Sequence, residues 1–385
     1  MKPKLRFKNF NSDWINCTIK DVADVIGGGT PDTSNSKFWN GNINWFTPSE
    51  VGKSKYVSNS ERKITELGVQ KSSAKLLPIG AILLSSRATV GEASILEKNQ
   101  ACTNQGFQSL VAHKNIDTEF LYYLKDKYKR EMLNKAFGST FLEISKSNIE
   151  KIKIKIPSIE EQIKISNFLS LLDKKIELQT KKIEDLKLFK KGHNKYIFKN
   201  NNQRFTLKDL LIEYNNKTTI NNEYEILSST ADGILFQNEY FNKQAASQDT
   251  TGYKIIPRGY ITYRSMSDTG EFHFNEQNKV DFGIVSPAYP VFKINGNIVN
   301  EKYLLYYMNE NKDFENQILS TKEGGTRFAL SFTKLLSLNV NLPNKEEQNN
   351  FSKNIDTINK KIDLEKRKLD KLNNLKKGLM QNIFV

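Results

Sequence analysis

The chain carries one long segment twice, and this constrains its fold more than any other feature. Ile156-Pro157-Ser158-Ile159-Glu160-Glu161-Gln162 opens a stretch that runs to Ile197-Phe198. Leu342-Pro343-Asn344-Lys345-Glu346-Glu347-Gln348 opens its twin, which runs to Ile383-Phe384. The two align without a gap over 43 positions at a constant offset of 186, with identities that include Pro157, Glu160, Glu161, Gln162, Lys174, Lys175, Ile176, Leu178, Lys182, Leu186, Lys190, Lys191, Gly192, Ile197 and Phe198. Self-similarity of this length implies two related units in one chain and approximate twofold symmetry.

Each copy reads as a helix. The alternation of Ile152, Ile154 and Ile156 ends at Pro157, and Ser158 followed by Glu161 has the spacing of a capping box, repeated by Asn344 and Glu347. Apolar residues then recur by threes and fours. The first seam is Leu169, Leu172, Ile176, Gln179, Ile183, Leu186, Lys190, His193, Ile197, and the second is Ile355, Ile358, Ile362, Glu365, Leu369, Leu372, Lys376, Leu379, Ile383. A lone helix cannot bury such a seam, so its twin, packed antiparallel, is the expected partner. About 40 residues would make a spacer of roughly 60 Å. Polar residues interrupt both seams at matched places, Gln179 with Glu365 and Lys190 with Lys376; they either fix register or mark solvated layers. Gly192 and Gly378 each cost about 1 kcal/mol inside a helix. Their duplication suggests a place where another backbone comes close, a kink being the plainer account.

The expected partition is a globular unit over 1–155, a spacer helix over 156–203, a second globular unit over 204–341 and a distal helix over 342–385. The globular parts correspond only loosely. Thr18-Ile19-Lys20-Asp21-Val22 matches Thr206-Leu207-Lys208-Asp209-Leu210, Leu77–Leu84 matches Ile256–Tyr263, and Phe120–Leu124 is set against Leu304–Met308. The offset drifts from 188 to 179 and 184 before settling at 186, so insertions and substitutions have accumulated in the globular parts and not in the helices. The fold class expected is α+β, with two pseudo-symmetric mixed units separated by two long helices that pair as an antiparallel coiled coil.

A net charge of +15 and a pI near 9.4 favour an acidic partner, nucleic acid before a membrane surface. Cys17 and Cys102 form no metal or disulfide framework, and the basic start lacks the apolar core of a signal peptide. No apolar run reaches the ~18 residues of a spanning helix, so no membrane association and a cytoplasmic location are expected. Catalytic motifs are not found. Gly27-Gly28-Gly29-Thr30 is followed by proline, which suits a turn rather than a phosphate loop. His113, His193 and His273 have no metal-site spacing. The Glu160-Glu161 and Glu346-Glu347 pairs suit the positive end of a helix dipole. Ser286-Pro287-Ala288-Tyr289-Pro290 is only a distant echo of an adenine methyltransferase motif.

Taken in order, these features resemble the specificity subunit of type I restriction–modification systems. The first half carries that family's lettering in Gly28-Gly29-Thr30-Pro31, in Phe38–Thr47, in Ile79–Gly91 and in Thr103-Asn104-Gln105-Gly106-Phe107; both helix openings match as well. The second half lacks the Gly-Gly-Thr-Pro and Asn-Gln-Gly-Phe lettering. The resemblance implies two target-recognition domains on a non-catalytic subunit that reads a split, asymmetric site in double-stranded DNA. It implies two methyltransferase subunits gripping the helices for adenine methylation, and motor–nuclease subunits added for restriction. S-adenosylmethionine, ATP and Mg are then expected on those partners, with no cofactor on this chain.

Base edges are read by directional donors and acceptors, arginine suiting guanine and asparagine or glutamine suiting adenine. The candidates for DNA contact are Thr30, Ser86, Arg87, Thr89, Asn104 and Gln105 in the first unit, and Arg264, Ser265, Asp268 and Arg327 in the second. Each also suits an ordinary loop. The partner-facing seam candidates are Leu169, Leu172, Ile176, Ile183, Leu186, Ile355, Ile358, Ile362, Leu369 and Leu372. The rival function is a non-catalytic coiled-coil adaptor with two ligand-binding heads.

Overall fold

The computed structural model describes residues 3–136, 142–199, 203–240, 249–320 and 327–384. The duplicated segments form helices α1 (Ile159–Lys199) and α2 (Lys345–Ile383). The chain divides into two compact units, residues 1–180 with 367–385, and residues 181–366. Each unit therefore contains half of each long helix, the start of one beside the end of the other.

In the first unit, Ile165 and Leu169 near the start of α1 share a core with Ile383 and Phe384, and Leu379 packs against it. In the second unit, Phe351 and Ile355 near the start of α2 share a core against which Ile197 and Phe198 pack. The helices thus pair antiparallel, as the seam requires. Every seam position on both helices is buried or half-buried, which is the burial a heptad pattern predicts.

The polar breaks have specific partners. Glu365 is buried and bonded to Lys182 at 3.0 Å. Lys376 lies 5.9 Å from the Tyr123 ring centroid and 2.5 Å from Asp173, and Lys190 lies 5.4 Å from the Tyr306 ring centroid. The phenols in turn bond to matched helix positions, Tyr123 to Asp173 and Tyr306 to Asn359. Both seam lysines therefore rest on a tyrosine of the adjoining globular part, a cation–π contact made twice.

Gln162 and Gln348 explain another identity. Each is buried, donates to the carbonyl of its own opening proline (3.0 and 2.8 Å), and accepts the backbone N–H of a helix-capping residue, Asp117 or Asn300. The capping box closes only in the second copy, where Asn344 and Glu347 bond reciprocally. In the first copy Glu161 is buried and takes two bonds from Arg6 instead, while Ser158 bonds Glu160. The expected close approach at Gly192 and Gly378 is not made by any of the described residues: a Cβ at either would meet none of them within 4 Å.

Around this frame each unit builds mixed sheets. A short antiparallel pair closes each one, Ile15 opposite Ile156 in the first and Gln203 opposite Leu342 in the second. The first unit has a five-stranded sheet and a three-stranded sheet, and the second has two four-stranded sheets. Ala23–Gly27 pairs antiparallel with Gln108–Ala112, as Leu211–Glu213 does with Val291–Ile294. Trp39–Phe46 runs parallel to Ala101–Thr103, as Glu225–Thr230 does to Phe282–Val285. Gly80 and Gly91 (φ +84° and +83°) have counterparts in Gly259 and Gly270 (φ +80° and +89°), turns that glycine alone enters cheaply. One matching needs correction. The helix after these strands is capped by Asp117 in the first unit and Asn300 in the second, each accepting from the third residue on. Phe120 therefore corresponds to Tyr303 and not to Leu304, because the cap sets the helical phase and the apolar lettering does not.

Candidate nucleic-acid interface

In the first unit three loops meet. The Gly28–Pro31 turn is drawn against the Thr103–Phe107 turn by Gly29 N–H donating to the Thr103 carbonyl at 2.8 Å. A Cβ on Gly28 would stand 2.0 Å from the Asn104 carbonyl oxygen, and one on Gly29 would stand 2.3 Å from Ser73, so both positions need glycine. That approach lets the Thr30 hydroxyl donate to Gln105 Oε1. Asn104 turns inward, its Oδ1 accepting from Gly106 N–H at 2.9 Å, while Gln105 is exposed.

The third loop, residues 85–91, follows strand Ile82–Leu84. Ser86 N–H donates to the Gly106 carbonyl and Ser86 carbonyl accepts from Ile144 N–H. Ser86 itself is buried, so its backbone joins the loops and its hydroxyl does not face solvent. Ala88 is held at φ +62°, a left-handed conformation that costs a non-glycine residue about 1–2 kcal/mol and is fixed here by a bond to the Leu142 carbonyl. Arg87 and Thr89 are exposed; Arg87 is paired with Glu143 at 2.6 Å, and Thr89 donates to the Ser85 hydroxyl at 3.1 Å. All six residues expected from the sequence thus belong to one neighbourhood, with Thr30, Arg87, Thr89 and Gln105 on its open side.

The second unit repeats the scaffold with other side chains. Ser265 carbonyl accepts from Leu330 N–H at 2.9 Å, as Ser86 does from Ile144. Met266–Ser267 pairs with Phe328–Ala329, which brings Arg327 beside Asp268 at 2.8 Å. Arg264, Ser265, Asp268 and Arg327, separated by up to 63 positions in sequence, all line one open cleft of about 640 Å³. Tyr263 anchors this wall: its phenol, pushed up in pKa by burial and so kept protonated, donates to the Leu330 carbonyl at 3.0 Å.

The sequence did not reveal the other wall. Ser286–Tyr289 forms the turn that Asn104–Phe107 forms in the first unit, each closed by a bond from its fourth N–H to its first carbonyl. Ser286, Ala288 and Tyr289 line the cleft. No shared lettering marks this turn; the signal is its place after the strand that runs parallel to Glu225–Thr230. His273 also lines the cleft. Among the described residues no cluster of three or more His, Cys, Asp or Glu is placed to hold a metal.

The type I restriction modification DNA specificity domain matches this chain twice, over residues 11–188 and 199–374. The MjaIX specificity subunit of Methanocaldococcus jannaschii is 42% identical over 178 residues, covering 45% of this chain and 41% of that protein. The EcoR124I/EcoR124II specificity subunit of Escherichia coli is 31% identical over 175 residues, covering 44% and 43%. The chain thus aligns with about two fifths of each of those relatives. Among solved structures, the type I S subunit from M. genitalium superposes with a TM-score of 0.59 at 18% identity, covering 100% of this chain and 99% of that one. A chain from a study of complex assembly and conformational transition of the type I R-M system superposes with a TM-score of 0.61 at 16% identity, covering 97% of each. At those identities the likeness concerns the fold.

Proposed function

The chain belongs to the type I restriction modification DNA specificity family, and from that premise we propose that it is the DNA-recognition subunit of a type I restriction–modification complex. The observation that carries this reading is one hydrogen-bonded scaffold used twice with different side chains on its open face: Arg87, Thr89 and Gln105 in one unit, Arg264, Asp268 and Ser286 in the other. Equal scaffolds let each unit meet DNA through the same face, and unlike side chains make the two half-sites differ. The net charge of +15 supplies the sequence-independent attraction for phosphates.

The helices serve the partners. Leu178 and Leu364 are twins in the repeat, lie off the seam, and are 58% and 51% exposed; Gly192 and Gly378, 14 positions further along each helix, leave open space where a Cβ would stand. The same surface presented twice suits two copies of one partner, the methyltransferase subunit. Adenine methylation and its S-adenosylmethionine belong to that partner, and ATP and Mg belong to motor–nuclease subunits added for restriction. This chain is non-catalytic and works in the cytoplasm, where its DNA is; no described helix is long and apolar enough to cross a membrane.

The test is coexpression with the methyltransferase subunit from the same operon, followed by long-read mapping of adenine methylation. A split asymmetric motif is expected. A stable chain that shows no salt-sensitive affinity for DNA and directs no methylation would instead favour the adaptor with two ligand-binding heads.

A further inference from the structure

Three arginines stand in the two recognition surfaces, and two are already committed, Arg87 to Glu143 and Arg327 to Asp268. Arg264 is exposed, lines the second cleft, and makes no hydrogen bond or ion pair among the described residues. Its base is rigid. Tyr263 before it is fully buried and bonded to the Leu330 carbonyl, and Ser265 after it is bonded to Leu330 N–H. A fork of free donors on a fixed backbone matches the O6 and N7 acceptors of guanine in the major groove.

An arginine also suits phosphate, and the cleft lining separates the two roles. Asp268 and Glu271 share the cleft with Arg264. With Arg327 paired to Asp268, these carboxylates balance the two arginines and leave the cleft no excess positive charge for a phosphate, whereas a base edge carries no net charge and needs none. Half-buried Ser286 lines the same space, and its hydroxyl suits a directional bond to a base; Ser229 and Thr230 also line it but are buried, with hydroxyls donated to the Thr262 and Gly233 carbonyls. The corresponding backbone position in the first unit is Ser85, which is buried with its hydroxyl donated to the Arg87 carbonyl at 3.0 Å.

We propose that Arg264 reads a guanine in the half-site bound by the second unit, a contact that the first unit has no equivalent residue to make. The inference rests on the specificity-subunit reading. Complexes of the methyltransferase subunit with the wild-type chain, with Arg264→Ala and with Arg264→Lys are compared by methylation mapping on a randomised target library and by duplex binding across a salt series. The wild-type motif should contain a guanine in one half-site. Arg264→Ala should lose preference for it by about 10- to 100-fold, and Arg264→Lys, which lacks the planar fork, should lose part of it, with every other position and the other half-site unchanged. Arg264→Lys keeps the charge, so a phosphate contact would leave that variant's motif intact. A motif preserved base for base, with affinity lowered uniformly and a shallower salt slope in Arg264→Ala, overturns the proposal. A wild-type complex that methylates no split motif overturns the specificity-subunit reading itself, and this proposal with it. Loading of the methyltransferase subunit, followed by size-exclusion chromatography, shows that the variants are folded.

Discussion

Glu119 shows how single residues tie the first unit to the helices. Lys55 Nζ donates to it at 2.8 Å, and the hydroxyls of Ser170 and Tyr56 donate to it as well. Lys55 also reaches Tyr123, and Tyr123 reaches Asp173, which pairs with Lys376. Burial pushes the Glu119 pKa up; the bonds from Lys55, Ser170 and Tyr56, with the Lys55 charge, outweigh it and hold the carboxyl below its usual range. A depressed folded pKa means that this contribution is present above the unfolded carboxylate pKa of about 4.3 and is lost as pH falls through the folded value. Glu119→Gln should therefore lower stability at pH 7 by about 1.5–3 kcal/mol, the worth of hydrogen bonds to a charged group. Its stability should also fall less steeply than the wild type's below about pH 4.3; urea unfolding over a pH series checks both. None of this was legible in the sequence, where Lys55, Glu119 and Ser170 share no spacing. The Arg6–Glu161 pair was hidden for the same reason: 155 positions separate two residues whose local patterns read as a basic tail and a helix cap.

At the scale of elements the helices were legible nearly in full, because heptad spacing, proline stops and duplication all report on local geometry. Their polar breaks were legible as positions and not as contacts, since Tyr123 and Tyr306 come from outside the repeat. The loops of the candidate interface in the first unit could be found by their lettering, but the Ser286–Tyr289 turn of the second could not, for only its backbone is shared. The glycines make an element-level prediction. Gly192 and Gly378 are helical, and a Cβ on either meets open space, so alanine should raise the unfolding free energy of the isolated chain by about 0.5–1 kcal/mol per site. A helix retains that cost in both copies where a partner's backbone needs the room. The Gly192→Ala, Gly378→Ala chain should therefore melt higher alone and load fewer methyltransferase subunits, as measured by calorimetry of the chain and native mass spectrometry of the complex. Unchanged loading would assign the glycines to folding alone.

For the whole molecule, the two units differ in how their first strand is reached. In the second unit the strand Gln203–Thr206 follows α1 along the chain, and Phe198 at the end of α1 packs on Tyr303. In the first unit the strand Ile15–Thr18 stands in the same register, and Phe384 at the end of α2 packs on Phe120, the counterpart of Tyr303. There the segment before Trp14 makes the connection: Leu5 N–H donates to the Asn382 carbonyl at 3.0 Å, and Arg6 bonds Glu161. Residues 5 and 382 are thus neighbours, and a short flexible linker can join residue 384 to residue 3. A permuted chain that joins residue 384 to residue 3 through such a linker, and opens between residues 199 and 203, keeps every strand pairing and helix contact described. It should fold, load methyltransferase subunits and direct methylation to the parental motif, with stability within a few kcal/mol of the parent. The same permutant carrying Arg6→Ala should be the weaker one, because a buried Glu161 left without its partner costs about 3–5 kcal/mol however the ends are joined. Denaturant unfolding and methylation mapping of the two chains separate what the covalent link contributes from what the ion pair contributes; a permutant that folds but shifts the motif would mean that the chain ends help set the geometry of reading.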